Sequence, residues 1–101
     1  MDDLYARFLP QFVALARTRL ATAITAATRP EAASTSTMVR ELHTLAGEAG
    51  LLGLTGVVPL ARECELKAKR WQAGQLEEGA DGLVSALHEL AQIIEQITVP
   101  G

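Results

Sequence analysis

Apolar residues recur along this chain at the three- and four-residue spacing of an α-helix in four separate stretches, and no stretch alternates as a strand does. The most regular stretch carries Leu76, Ala80, Leu83, Leu87, Leu90, Ile94 and Ile97. Met38, Leu42, Leu45, Ala49 and Leu52 mark a second, and Val57, Leu60, Cys64, Ala68 and Trp71 a third. The longest, Asp2 to Ala27, places Leu4, Phe8, Phe12, Leu15, Leu20 and Ile24 near one face. Each stripe needs burial, and with no sheet available the helices must bury their stripes against one another. Aromatics are only 4% of the chain, so the interior is built from Leu, Ala, Val and Ile, which suits helices packed closely side by side. The pattern predicts an all-α fold: one domain over residues 1–101, an antiparallel up-down-up-down four-helix bundle.

The breaks between stretches are short, which sets the second helix beside the third and the third beside the fourth. Pro10 lies inside the first helix, where it removes a backbone donor and crowds the preceding turn, so a kink or a split is expected there. Thr28 to Thr37 reads as a connection, because Arg29 precedes Pro30 and Ser36 or Thr37 can start the next helix. That helix should fade between Gly50 and Gly53. Thr55 is the expected N-cap of the third helix, with Pro59 tolerated in its first turn and Gly74 as a left-handed C-terminal cap. Val99-Pro100-Gly101 reads as a frayed tail.

Composition narrows the function by exclusion. A net charge of −3 and a pI near 5.3 argue against a nucleic-acid partner, whose binders carry a basic stripe. No apolar run approaches the roughly 18 residues that membrane insertion needs. No basic segment followed by an apolar one opens the chain, so secretion is not expected. A single cysteine, Cys64, cannot form an internal disulfide and fits a reducing cytosol. The expectation is a cytoplasmic monomer.

His43 is the residue that composition does not explain. It lies one residue off the stripe through Leu42 and Leu45, roughly 100° round the helix, so it points to solvent at the edge of the core. Val39, Ala46, Gly47 and Gly50 share that face. Each helical glycine costs about 1 kcal/mol relative to alanine, a cost that makes sense if something must approach the imidazole. A lone histidine on a helix flank is more often a solvated residue or a local hydrogen-bond partner. The sequence carries no phosphate-binding glycine loop, no HExxH and no paired cysteines. His88 and Cys64 match no ligand spacing with His43, so no metal site is expected. Glu41, Glu48, Glu63, Glu65, Glu77 and Glu78 are scattered over solvated faces. What remains is a nucleophile towards an activated group carried by another macromolecule, and neutral imidazole is a competent phosphoryl acceptor.

At these residues the chain resembles the histidine-containing phosphotransfer domains of multistep two-component phosphorelays. His43, Leu45 and Gly47 stand in the register of that family's motif, followed by Leu52-Gly53 and by a third helix with Glu65 and Lys69. The resemblance implies that His43 accepts a phosphoryl group from a receiver-domain phosphoaspartate and passes it to another receiver aspartate. It implies that Glu65 accepts a hydrogen bond from the other ring nitrogen, that Lys69 supplies positive charge, and that Gly47 leaves room for the receiver's loops. The plain alternative for Glu65 and Lys69 is an ordinary i, i+4 surface pair. The partners implied are response-regulator receivers, including those of a hybrid sensor kinase. Mg²⁺ is expected from the receiver, with no cofactor of the chain's own.

Two departures stand out. The family's lysine three residues after the histidine is Ala46, a loss that Lys69, Arg40 or Arg62 can offset. The serine often found after the glycine is Glu48, expected to turn away to solvent. Three readings follow from these residues. The first is a phosphocarrier without turnover of its own. The second is a docking module that binds a receiver or kinase without transfer. The third is a self-associating structural bundle.

Overall fold

A computed structural model describes the backbone of residues 2–28, 35–77 and 79–97, with side chains over 6–28, 36–77 and 79–97. Four helices account for nearly all of it: α1 (Asp2–Thr28), α2 (Thr35–Leu51), α3 (Val58–Gln72) and α4 (Gly79–Glu95). Each helix packs on its chain neighbour, α1 closes on α4, and the diagonal pairs do not bring their backbones together. Along α2, Met38 shares a cleft with Ala23 and Ala26, Glu48 pairs with Arg19, and Leu51 lies by Phe8 and Leu15. Rising along α2 is falling along α1, the antiparallel arrangement that short connections impose.

Leu83, Leu87, Leu90 and Ile94 of α4 are sealed from solvent, as their spacing predicts. On α2 the inward residues are Met38, Leu42, Leu45 and Ala49. Each fully buried leucine contributes about 1.5–3 kcal/mol of transfer free energy, which ranks this stripe above any surface interaction in the domain.

α1 differs from its sequence reading in two ways. It runs unbroken through Pro10, so no short helix is split off. A proline in a helix interior costs about 3 kcal/mol, and here the burial of Leu9, Phe12 and Val13 on the same turns offsets it. Its core stripe is Leu9, Phe12, Val13, Ala16, Leu20, Ala23 and Ala27, while Phe8 and Leu15 are exposed. The expected stripe followed side-chain size, whereas close helix packing selects the alanine-rich face beside it.

The helix ends refine the rest. α2 begins at Thr35, so Ser36 and Thr37 lie inside its first turn and do not cap it. The residue capping α3 is Val57, not Thr55, and it forms no side-chain cap; Pro59 sits in the first turn as expected. Gly74 adopts φ 72° and closes α3 with Gly74 N–H donating to the Trp71 carbonyl and Gln75 N–H to that of Arg70. The Arg29-Pro30 step and the Val99–Gly101 tail lie outside the described residues.

Candidate functional site

The site is set by how α2 stops. Gly53 takes φ 71°, Gly53 N–H donates to the Gly50 carbonyl at 3.1 Å, and Leu54 N–H donates to the Ala49 carbonyl at 2.9 Å. This left-handed end reverses the chain within a few residues, and α3 starts at Val58. A tight reversal between antiparallel helices of equal rise fixes which residues lie level with one another. His43 is level with Glu65, and Nδ1 of His43 lies 3.0 Å from Oε2 of Glu65. Counting outwards at 1.5 Å per residue, Ala46 is level with Arg62, and Val39 with Lys69.

The His43 side chain is 77% exposed and that of Glu65 only 12%. The imidazole therefore stands in solvent while the group that holds it is rooted against the bundle. The same Oε2 also lies 3.3 Å from Nζ of Lys69, so one carboxylate oxygen faces both the imidazole and an ammonium. His43, Ala46 and Gly47 from α2 and Arg62, Glu65, Leu66 and Lys69 from α3 line an open depression of about 460 Å³. Its lining brings together all four residues singled out from sequence: His43, Gly47, Glu65 and Lys69.

Gly47 is not required by the domain itself, because a Cβ built there meets nothing within 4 Å. Ala46 departs from its expected place on the exposed flank: at 3% exposure it belongs to the core and forms the floor of the depression. Glu48 turns the other way and binds Arg19 of α1 at 2.6 Å, half-buried rather than free in solvent. Arg40 does not line the depression, whereas Arg62 does.

The remaining candidates do not join the site. His88 is exposed on α4, diagonal to α2 across the bundle, and does not line the depression. Cys64 is buried, and burial, reinforced by the nearby Glu63 carboxylate, pushes its thiol up to about 12. Among the described residues, no three His, Cys, Asp or Glu side chains gather as a metal site would require. No helix among them is long and apolar enough to cross a membrane. Sequence reasoning missed the exposed apolar residues: Leu66 inside the depression, and Leu51, Phe8 and Leu15 around a separate groove between α1 and the end of α2. Phe8 and Leu15 were hidden by the misassigned α1 stripe, whereas Leu51 and Leu66 lie off the stripes of α2 and α3 and carry no signal in the sequence.

A four-helix bundle that presents an exposed histidine on a largely covered carboxylate has the form of a histidine phosphotransfer module. The family model of the Hpt domain matches residues 7–98, and the chain belongs to that family. Histidine phosphotransfer in two-component phosphorelays, with response-regulator receiver domains as partners, is accordingly its general activity. Comparison with curated proteins and with solved structures gives no match.

Proposed function

We propose that His43 takes a phosphoryl group from a phosphoaspartate of one receiver domain and passes it to an aspartate of another. The observation that carries this reading is the 3.0 Å contact from Nδ1 to Glu65 on an imidazole that is otherwise in solvent. With its hydrogen on Nδ1 donated to Glu65, the ring keeps a lone pair on Nε2. That pair forms the P–N bond, the P–O bond to the donor aspartate breaks, and its electrons stay on the leaving carboxylate. No proton has to leave Nε2, and Glu65 stabilises the positive charge that the ring acquires. The return step runs the same bonds backwards onto the second receiver.

In this reading Gly47 gives the receiver's loops access, and Lys69 adds positive charge through its place beside Glu65. Mg²⁺ belongs to the receiver's own aspartate site. The domain is a phosphocarrier and regenerates only through its partners, among them the receiver of a hybrid sensor kinase. Incubation with a phosphorylated receiver should place acid-labile phosphate on the domain, and His43→Gln should abolish it. Label retained in that variant would move the acceptor elsewhere.

A docking module without transfer is the second reading, and buried Ala46 favours it because no cation projects from that turn of α2. Tight receiver binding with no label on His43 would establish it. In that case Ala46→Lys should start transfer.

A further inference from the structure

Phosphorylation brings about 1.5–2 negative charges into the depression around His43, and the cations available to meet them are few. Lys69 is already engaged, 3.3 Å from the Glu65 oxygen that also holds His43. By the helix register it lies level with Val39, on the side of His43 away from Gly47. Arg40 is outside the depression. Arg62 is exposed and has no ion-pair partner among the described residues. It stands one turn before Glu65 on the same face of α3, about 4.5 Å along the axis, level with Ala46. Ala46 is small and forms the floor there, so the space between α2 and α3 at that level stays open.

We infer that Arg62 binds the phosphoryl group on His43, supplying from α3 the positive charge that α2 lacks at Ala46. The inference rests on His43 as the acceptor. A planar guanidinium presents paired N–H donors that match two phosphoryl oxygens, which a single ammonium does not. Arg62, Lys69 and Glu65 together leave the depression with one net positive charge, and Arg62 is the part of it that no carboxylate already holds. Before phosphorylation the guanidinium is free in solvent. Afterwards it closes over the group from the Gly47 side while Lys69 stays with Glu65.

The test uses the whole domain carrying His88→Gln, which leaves His43 as its sole histidine of the original two. Phosphoramidate loads His43 chemically, so the loading does not depend on a relay partner. Phosphorus NMR then follows the titration of the phosphoryl group. Arg62→Gln should raise its midpoint by about half a unit, below the 1–3 units of a closely buried pair because the site is open. Phosphate transfer to a receiver should fall about tenfold, the loss of one charge-assisted hydrogen bond. Lys69→Gln should move the midpoint less, Arg62→Lys should restore part of the shift, and Ala46→Lys added to Arg62→Gln should restore most of it. Circular dichroism of the exposed-site variants should match the parent.

A midpoint in Arg62→Gln within about 0.1 unit of the parent, far below the shift a neighbouring charge produces, would overturn the assignment. The two readings fail separately. A shifted midpoint in a domain that passes phosphate to no receiver keeps Arg62 and removes the relay. Normal transfer with an unshifted midpoint keeps the relay and removes Arg62.

Discussion

Gly47 is where the interests of the helix and of a docking partner separate. Alanine would suit the isolated domain better, since its Cβ meets nothing and a helical glycine costs about 1 kcal/mol. Gly47→Ala should therefore raise the melting temperature by about 4–8 °C, the shift that 1 kcal/mol gives a domain of this size. The same methyl group stands beside His43, so transfer to a receiver should slow while stability rises. A gain in stability with unchanged transfer would remove Gly47 from the contact surface. Cys64 makes the opposite case, a residue whose chemistry the fold suppresses. The thiolate is the reactive form, and burial pushes the thiol up to about 12, so thiol reagents at pH 8 should label the unfolded chain and leave the native one untouched. Below the ordinary value of 9.0 the thiol is protonated in both states. Above it the unfolded chain ionises while the folded one holds its proton, so stability falls from about pH 9 towards 12. Thermal melts over that range should show a shallower fall for Cys64→Ala. His43, Glu65, Lys69 and Gly47 were legible as residues because their spacing survives in one dimension. That Ala46 is buried was not legible, because a residue one step from a stripe is assigned to core or flank only by how close the next helix comes.

At the scale of elements, the turn between α2 and α3 does more for the site than either helix alone. Gly53 holds φ 71°, a conformation that costs a side-chain-bearing residue roughly 1–2 kcal/mol. Gly53→Val should destabilise the domain by at least about that amount, more than at an ordinary exposed position because a β-branched side chain fits the left-handed region worst. Since this turn sets which residues of α2 and α3 lie level, the variant should also weaken the His43–Glu65 contact, which histidine NMR reports directly. An unchanged imidazole signal would mean that the helices find their register without the turn. The chain reversal itself could be read from Leu52-Gly53, but its exact cap could not. Thr55 looked like the start of α3 because its hydroxyl is a good cap, yet the helix starts after Val57, whose burial beside the core fixes the entry of the chain. On α1, size misled in the same way. Phe8 and Leu15 looked like core residues, and the interface instead took Ala16, Ala23 and Ala27, which let the backbones approach.

At the scale of the whole molecule, the bundle measures 43 × 20 × 19 Å, its long axis close to the roughly 40 Å that the 27 residues of α1 span. The shorter α2 ends beside the middle of α1, where Leu51, 89% exposed, lines a groove with Phe8 and Leu15. This apolar edge lies on the helix that carries His43, within the span of a protein partner's footprint of about 800 Å². Leu51→Glu should leave stability within about 0.5 kcal/mol, as a surface change does, while weakening receiver binding severalfold in a calorimetric titration. Unchanged affinity would place the partner's footprint towards Lys69 instead. Four helices, their order around the bundle and the histidine motif are all written in the chain, because periodicity and spacing along a helix are properties of one dimension. Only the packed bundle settles which face of α1 is core, which cation lies level with Ala46, and that Glu48 turns to Arg19. Those are distances between helices, and they depend on how closely small side chains allow two backbones to pack.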